Sequence, residues 1–155
     1  MRDRIRPARP CPQILEILLL VFTLVRCGGE PVAAPLNFDL AVLTISEGLN
    51  YEFGYVPIGQ VAEHTFLVTN VGKVLASNLR SDFHITAFQY YGGTYPGYGG
   101  TCATELYPDE SCSIVIAFSP IHASVYTAPI QIVYHNGAQE VITSRPVLRG
   151  TAIGP

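Results

Sequence analysis

The chain of 155 residues is rich in glycine, proline and tyrosine and poor in lysine, which fits one globular domain plus a short appendage. Its formal charge is −3, yet five of its nine basic residues and only two of its twelve acidic ones lie in residues 1–26. The remainder carries four basic against ten acidic residues, net −6, and its scattered Lys73, Arg80, Arg145 and Arg149 form no basic stripe, which excludes a nucleic-acid partner.

The appendage is the N-terminus, where Arg2, Arg4, Arg6 and Arg9 precede an apolar run from Ile17 to Val25, the grammar of an export signal. That run falls short of the ~20 residues a helix needs to cross ~30 Å of hydrocarbon. A leader over residues 1–26 is therefore expected, then a linker over 27–36 and the folded domain over 37–155. The segment "LVRCGGE" resembles the lipobox of bacterial lipoproteins, which implies lipid attachment at Cys27; cleavage near Ala33 and Ala34 is the other reading. Either route exports the domain to the periplasm, outer membrane or cell surface, or secretes it. Membrane contact is expected only through the leader or its lipid.

Beyond the linker, period-two alternation recurs at short intervals between turn residues. Leu40 to Ser46 reads as a first strand, Tyr51 to Phe53 as a short edge segment, and Pro57-Ile58-Gly59 as a break. "VAEHTFLVTN" is a better strand, with Val61, Thr65 and Leu67 on one side and Phe66 and Val68 on the other. "NVGK" then turns the chain, Asn70 and Gly72 tolerating left-handed backbone values. A weak strand is expected over Lys73 to Leu79 and a strong aromatic one over Asp82 to Tyr91. "SCSIVIAFSP" alternates Cys112, Ile114, Ile116 and Phe118 against Ser113, Val115 and Ala117, which makes it the central strand, stopped by Pro120. A hairpin turning at Asn136-Gly137 closes the domain, with Pro129 and Pro146 marking edges or bulges. With no amphipathic helix after Cys27, this pattern predicts an all-β, antiparallel β-sandwich of about seven strands; a jelly roll or small barrel is the rival.

The order "YEFGYVPIGQVAEHTFLVTNVGK", "DFHITAFQ", "GTCATELYPDESCSIVIAFSPIHASVYTAPIQIVYHNG" and "LRGTA" resembles the immunoglobulin-like modules called choice-of-anchor D domains, related to the Hydin and ASPM-type domains of cilia and centrosomes. The resemblance covers about Leu36 to Ala152. It implies a non-catalytic sandwich, often exported and surface-anchored in bacteria. In place of the family's usual short connection, "YYGGTYPGYGG" precedes Cys102.

Cys102 and Cys112 are too far apart for a paired zinc motif and have no helix start for a redox pair. In an exported domain, one on each side of a "YPDE" turn, they read as a disulfide staple. His64, His84, His122 and His135 fall on different strands or loops without metal spacing, and Asp109 and Glu110 alone cannot supply the six or more oxygens of a calcium site. No metal, cofactor or catalytic residue is expected, and the chain reads as no enzyme. The remaining candidate is the loop of Tyr90, Tyr91, Tyr95 and Tyr98, interleaved with glycines. Such tyrosines either bind partners through large amphipathic contacts or cover the end of the core. The functional expectation is a structural or protein-interaction module of the cell envelope, with an unidentified envelope or surface protein as partner. The alternatives are a carbohydrate-binding module that holds a glycan on the tyrosine loop and, from the Hydin branch, a cilium-type interaction domain.

Overall fold

The computed structural model describes residues 39–154 apart from 82 and 86, so the expected leader and linker, Cys11 and Cys27 lie outside the described residues. The fold is all-β. A five-stranded antiparallel sheet runs β1 (Leu43–Ile45), β3 (Ala62–Asn70), β8 (Ser111–Phe118), β6 (Phe88–Tyr90), β5 (His84–Ile85). Four strands form a second sheet, β11 (Glu140–Thr143), β10 (Ile132–His135), β4 (Ala76–Arg80), β7 (Glu105–Leu106). Three more form β2 (Asn50–Pro57), β12 (Val147–Ile153), β9 (Val125–Pro129).

β8 is central, as its alternation predicts. Ile114, Ile116 and Phe118 are fully buried, facing Phe66, Val68, Ile132 and Leu148 in one core. Phe118 stacks on Phe88 at 4.8 Å between ring centroids. In β3, Phe66 and Val68 point inward while Val61, just before the strand, and Leu67 lie exposed, the two faces that period two assigns.

Four expectations need correction. The segment around Tyr51 to Phe53 is an eight-residue strand, β2, paired in parallel with β12 and bulged opposite Gly150. It lies at a sheet edge, and its alternation runs only to Phe53: the bulge leaves Gly54 and Tyr55 both exposed before Val56 is buried, which breaks the period-two pattern that marks a strand. The span Asp82 to Tyr91 is two strands, β5 and β6, folded back on each other with Ile85 opposite Phe88. Phe83, Ala87, Phe88 and Tyr90 are all buried; a straight strand would send Phe83 and Phe88 to opposite faces, and the reversal brings both inward.

The "NVGK" turn, in turn, uses no left-handed backbone at Asn70 or Gly72. Gly72 is needed for close approach, because a Cβ there would collide with the Leu40 carbonyl and the Val42 amide. Finally, the closing segment is not one hairpin in one sheet. The Asn136–Gln139 turn joins only β10 and β11. Asn136 stays out of the left-handed region, and its side chain accepts from the Ala138 and Gln139 amides at 3.0 and 2.9 Å. Both arms change sheets at the prolines, where Pro129 pairs with Val147 and the Ile130 amide donates to the Pro146 carbonyl at 3.0 Å.

Candidate functional site

The tyrosine loop leaves the five-stranded sheet after Tyr90 and returns to it at Thr101. On the way out, the Tyr91 amide donates to Val115 O at 2.9 Å; midway, the Val115 amide donates to Pro96 O at 2.8 Å; on return, the Thr101 amide donates to Ser113 O at 2.9 Å. The Thr101 and Ser113 hydroxyls lie 3.1 Å apart. The excursion is thus tied along β8 and covers its outward residue Val115, only 6% exposed. Gly97 sits where the loop lies closest to β8. Its φ is 91°, and a side chain there would strike the Val115 carbonyl, so the loop needs glycine for both conformation and space.

The base of the loop is clamped by the Cys102–Cys112 disulfide, with the Cα atoms 4.8 Å apart. Both cysteines are buried. The intervening Tyr107–Glu110 turn is closed locally. The Glu110 amide donates to Tyr107 O at 3.1 Å, and the Glu110 carboxylate accepts from the Tyr107 amide at 3.1 Å. Asp109 takes a φ of 63° in the same turn, so both acids serve to form it.

Tyr90, Tyr91, Tyr95 and Tyr98 divide into two pairs. Tyr90 and Tyr95 pack inward, edge to face at 5.4 Å. Their hydroxyls are buried without hydrogen-bond partners. Burial pushes the Tyr90 hydroxyl up to about 12, with nearby Ser81 offsetting part of the rise. The Tyr95 hydroxyl is also pushed up, by burial first and by Tyr90 second. Tyr91 and Tyr98 face solvent, 39% and 72% exposed, and meet edge to face at 5.9 Å. The Tyr98 amide donates to Tyr91 O at 2.8 Å, which ties together the two backbone positions that carry these rings.

Among the described residues no three His, Cys, Asp or Glu side chains gather as a metal site would require. His64 stacks on Tyr51 at 4.0 Å and lies 3.3 Å from Glu47. The Tyr51 hydroxyl is pushed up by burial and then by the Glu47 charge. His135 accepts from the Gly137 amide at 3.2 Å, and the His122 carbonyl accepts from the Tyr126 hydroxyl at 3.0 Å. His84 lies in β5.

Sequence reasoning missed the role of Asn70, read there only as a turn residue. Its side chain is fully buried. The oxygen accepts from the Val42 and Gly72 amides at 3.2 and 3.0 Å, and the nitrogen donates to the Val74 and Leu106 carbonyls at 2.8 and 3.0 Å. One side chain thereby joins the segment leading into β1, the β3–β4 turn and β7. Its one legible signal is parity: Asn70 continues the inward series of Phe66 and Val68.

No protein-family model matches the chain, and no curated protein matches it. Among solved structures it is similar to the ASH / PapD-like domain of human CEP192 (PapD-like domain 7), with 16% identity, TM-score 0.52, 86% of this chain and 99% of that one. It is also similar to part of the Vibrio cholerae VesB protease, with 15% identity, TM-score 0.54, and 70% of this chain against 31% of that one. The chain thus spans about a third of the protease structure. At such identities the likeness is one of fold: the chain is an immunoglobulin-like β-sandwich.

Proposed function

We propose that the chain is a non-catalytic, exported protein-interaction module of the choice-of-anchor D type, which presents Tyr91 and Tyr98 to a protein of the cell envelope. The observation that carries this reading is the loop itself, tied to β8, clamped by a buried disulfide and holding two tyrosines outward. Ordering such a loop before binding lowers the entropic cost of association, and tyrosine offers broad amphipathic contact at few rotatable bonds. A disulfide belongs in an oxidising compartment, which supports export and weighs against a ciliary, intracellular role. The full reading comprises residues 1–26 as leader, 27–36 as linker, 37–155 as the domain, and Cys27 as the lipid-bearing residue.

The test has two parts. Crosslinking the native protein in its own envelope should capture a discrete partner, and Tyr91→Ser/Tyr98→Ser should lose it while remaining folded; undiminished capture by the double variant overturns the loop assignment. Intact mass of the membrane-extracted protein should show a diacyl adduct with the chain starting at Cys27. An unmodified start near Ala34 would sink anchoring but leave export standing. The glycan reading finds less support in the loop, because rings at 89° to each other offer no continuous flat platform; binding on a glycan array that depends on Tyr91 and Tyr98 would restore it.

A further inference from the structure

A second surface, independent of the tyrosine loop, lies where two sheet edges face each other. Among the described residues β1 and β11 are outermost strands of their sheets. They meet where the Ala41 amide donates to Asn136 O at 2.9 Å and run from there in the same direction. Between them lies a cleft of about 530 Å³, its walls including Leu43, Ile45, Leu49, Ile142 and Arg145.

Register shows which backbone groups face this cleft. Val42 O accepts from the Val71 amide at 2.8 Å, and the Ser46 amide donates to Leu67 O at 2.9 Å, so Val42, Thr44 and Ser46 turn their peptide groups toward β3. By alternation Leu43 and Ile45 turn theirs away. The Leu43 amide finds the Tyr134 hydroxyl at 3.2 Å; the Leu43 carbonyl and both Ile45 groups face the cleft. In β11, the Asn136 amide donates to Gln139 O at 2.9 Å and Tyr134 pairs with Val141, which places Val141 and Thr143 on β10. The peptide groups of Ile142 therefore face outward. The cleft is also apolar: Ile142 and Leu49 are each 60% exposed. At its far end Arg145 is exposed and joins none of the ion pairs among the described residues.

Free strand edges are normally blunted by shortness, charge or proline. β5 and β7 have two residues each, and β2 and β9 end in proline. Among the described residues β11 combines an unpaired edge with an exposed isoleucine and faces the unpaired edge of β1. We propose that this cleft accepts an extended segment of another polypeptide, apolar at alternate positions and bearing a carboxylate that reaches Arg145. Main-chain hydrogen bonds to Ile142 and Ile45 give affinity, and the apolar wall and Arg145 give register and choice, the logic of strand addition. β11 has four residues, which at ~3.3 Å per residue spans ~13 Å and sets a core motif of about four residues.

The test is to pan a displayed library of random decapeptides on the full chain. Enriched peptides should alternate β-branched or apolar residues with polar ones and carry an acidic residue at one end. Ile142→Pro deletes an amide that points away from β10, so it leaves the β10–β11 ladder intact while weakening these peptides roughly tenfold. Arg145→Glu, at an exposed position, should switch the enriched charge from acidic to basic. No enrichment, peptides indifferent to both variants, or peptides lost only with Tyr91→Ser/Tyr98→Ser would overturn the cleft proposal; the last outcome would support the loop instead. Concentration-dependent dimerisation abolished by Ile142→Pro would also overturn it, by naming a second copy of the chain as the occupant.

Discussion

The two flanks of β8 are built on different principles. On one side β3 runs beside it for eight residue pairs, Ala62 opposite Phe118 through Thr69 opposite Ser111. On the other, β6 supplies three pairs, ending at Tyr90 opposite Ile116, and the tyrosine loop completes the flank with single hydrogen bonds, a glycine contact and a disulfide. The first flank is held by a repeating ladder that tolerates most side chains pointing outward. The second depends on particular residues, and it is the flank that carries the exposed tyrosines. Regular pairing gives the domain its stability; the irregular flank gives it a distinctive surface.

The comparison breaks most severely at the ladder's end, in Asn70. Asn70→Ala would leave the Val42 and Gly72 amides and the Val74 and Leu106 carbonyls without their partner. With ~1–3 kcal/mol for each buried group left unsatisfied and partial relaxation, a loss of about 3–5 kcal/mol is expected in denaturant titration. A loss below about 1 kcal/mol would mean that water replaces the side chain and that Asn70 joins nothing. Next comes the irregular flank's clamp. Cys102→Ser/Cys112→Ser opens a loop whose closure contributes roughly 2–3 kcal/mol in the chain-entropy model. Amide exchange should rise first in residues 91–104, while the β3–β8 ladder keeps its protection; uniform loss across both flanks would show that the disulfide holds the core rather than the loop.

The buried tyrosines sharpen the contrast through pH. Tyr90 ionises near 10 in the unfolded chain and at about 12 in the folded one. Above pH 10 the unfolded state therefore binds fewer protons than the native state. Stability is complete below pH 10 and falls as pH rises toward 12, by roughly 2–3 kcal/mol for this group at 1.36 kcal/mol per unit. Absorbance at 295 nm should keep a late component, ionising above the ordinary tyrosine range, that disappears in Tyr90→Phe/Tyr95→Phe, and Tyr90→Phe should flatten much of the alkaline decline. Absence of that late component would contradict the inward placement of Tyr90 and Tyr95.

How legible this was from sequence follows the same division. β8 and β3 could be read because one apolar face repeats every second residue over their whole length. β2 was underestimated because the bulge at Gly54 and Tyr55 interrupts its alternation after Phe53, and the Asp82–Tyr91 segment was read as one strand because nothing in its local pattern reveals that Phe83 and Phe88 must share a face. The staple between Cys102 and Cys112 was legible from spacing and context. Which tyrosines point inward was not, since that depends on where the excursion rejoins β8. The cleft between β1 and β11 was also hidden, because its walls come from segments about a hundred residues apart.

The smallest expected effect is the most informative about function. Tyr91→Ser and Tyr98→Ser remove rings that are 39% and 72% exposed and that meet each other, the Tyr98 ring also lying against Gly92. Loss of an exposed edge-to-face pair and partial burial should cost no more than about 1 kcal/mol together. Tyr90→Ser and Tyr95→Ser, by contrast, each vacate core volume and should cost about 3 kcal/mol or more. The outward pair can therefore be changed without disturbing the scaffold, which separates binding from folding in one experiment. Replacing all four tyrosines together would confound the two, because the inward pair alone would unfold the flank. Should the outward double variant melt several degrees lower than the parent, the rings are cover for Gly92 and Val115, and the interaction surface must be sought at the β1–β11 cleft.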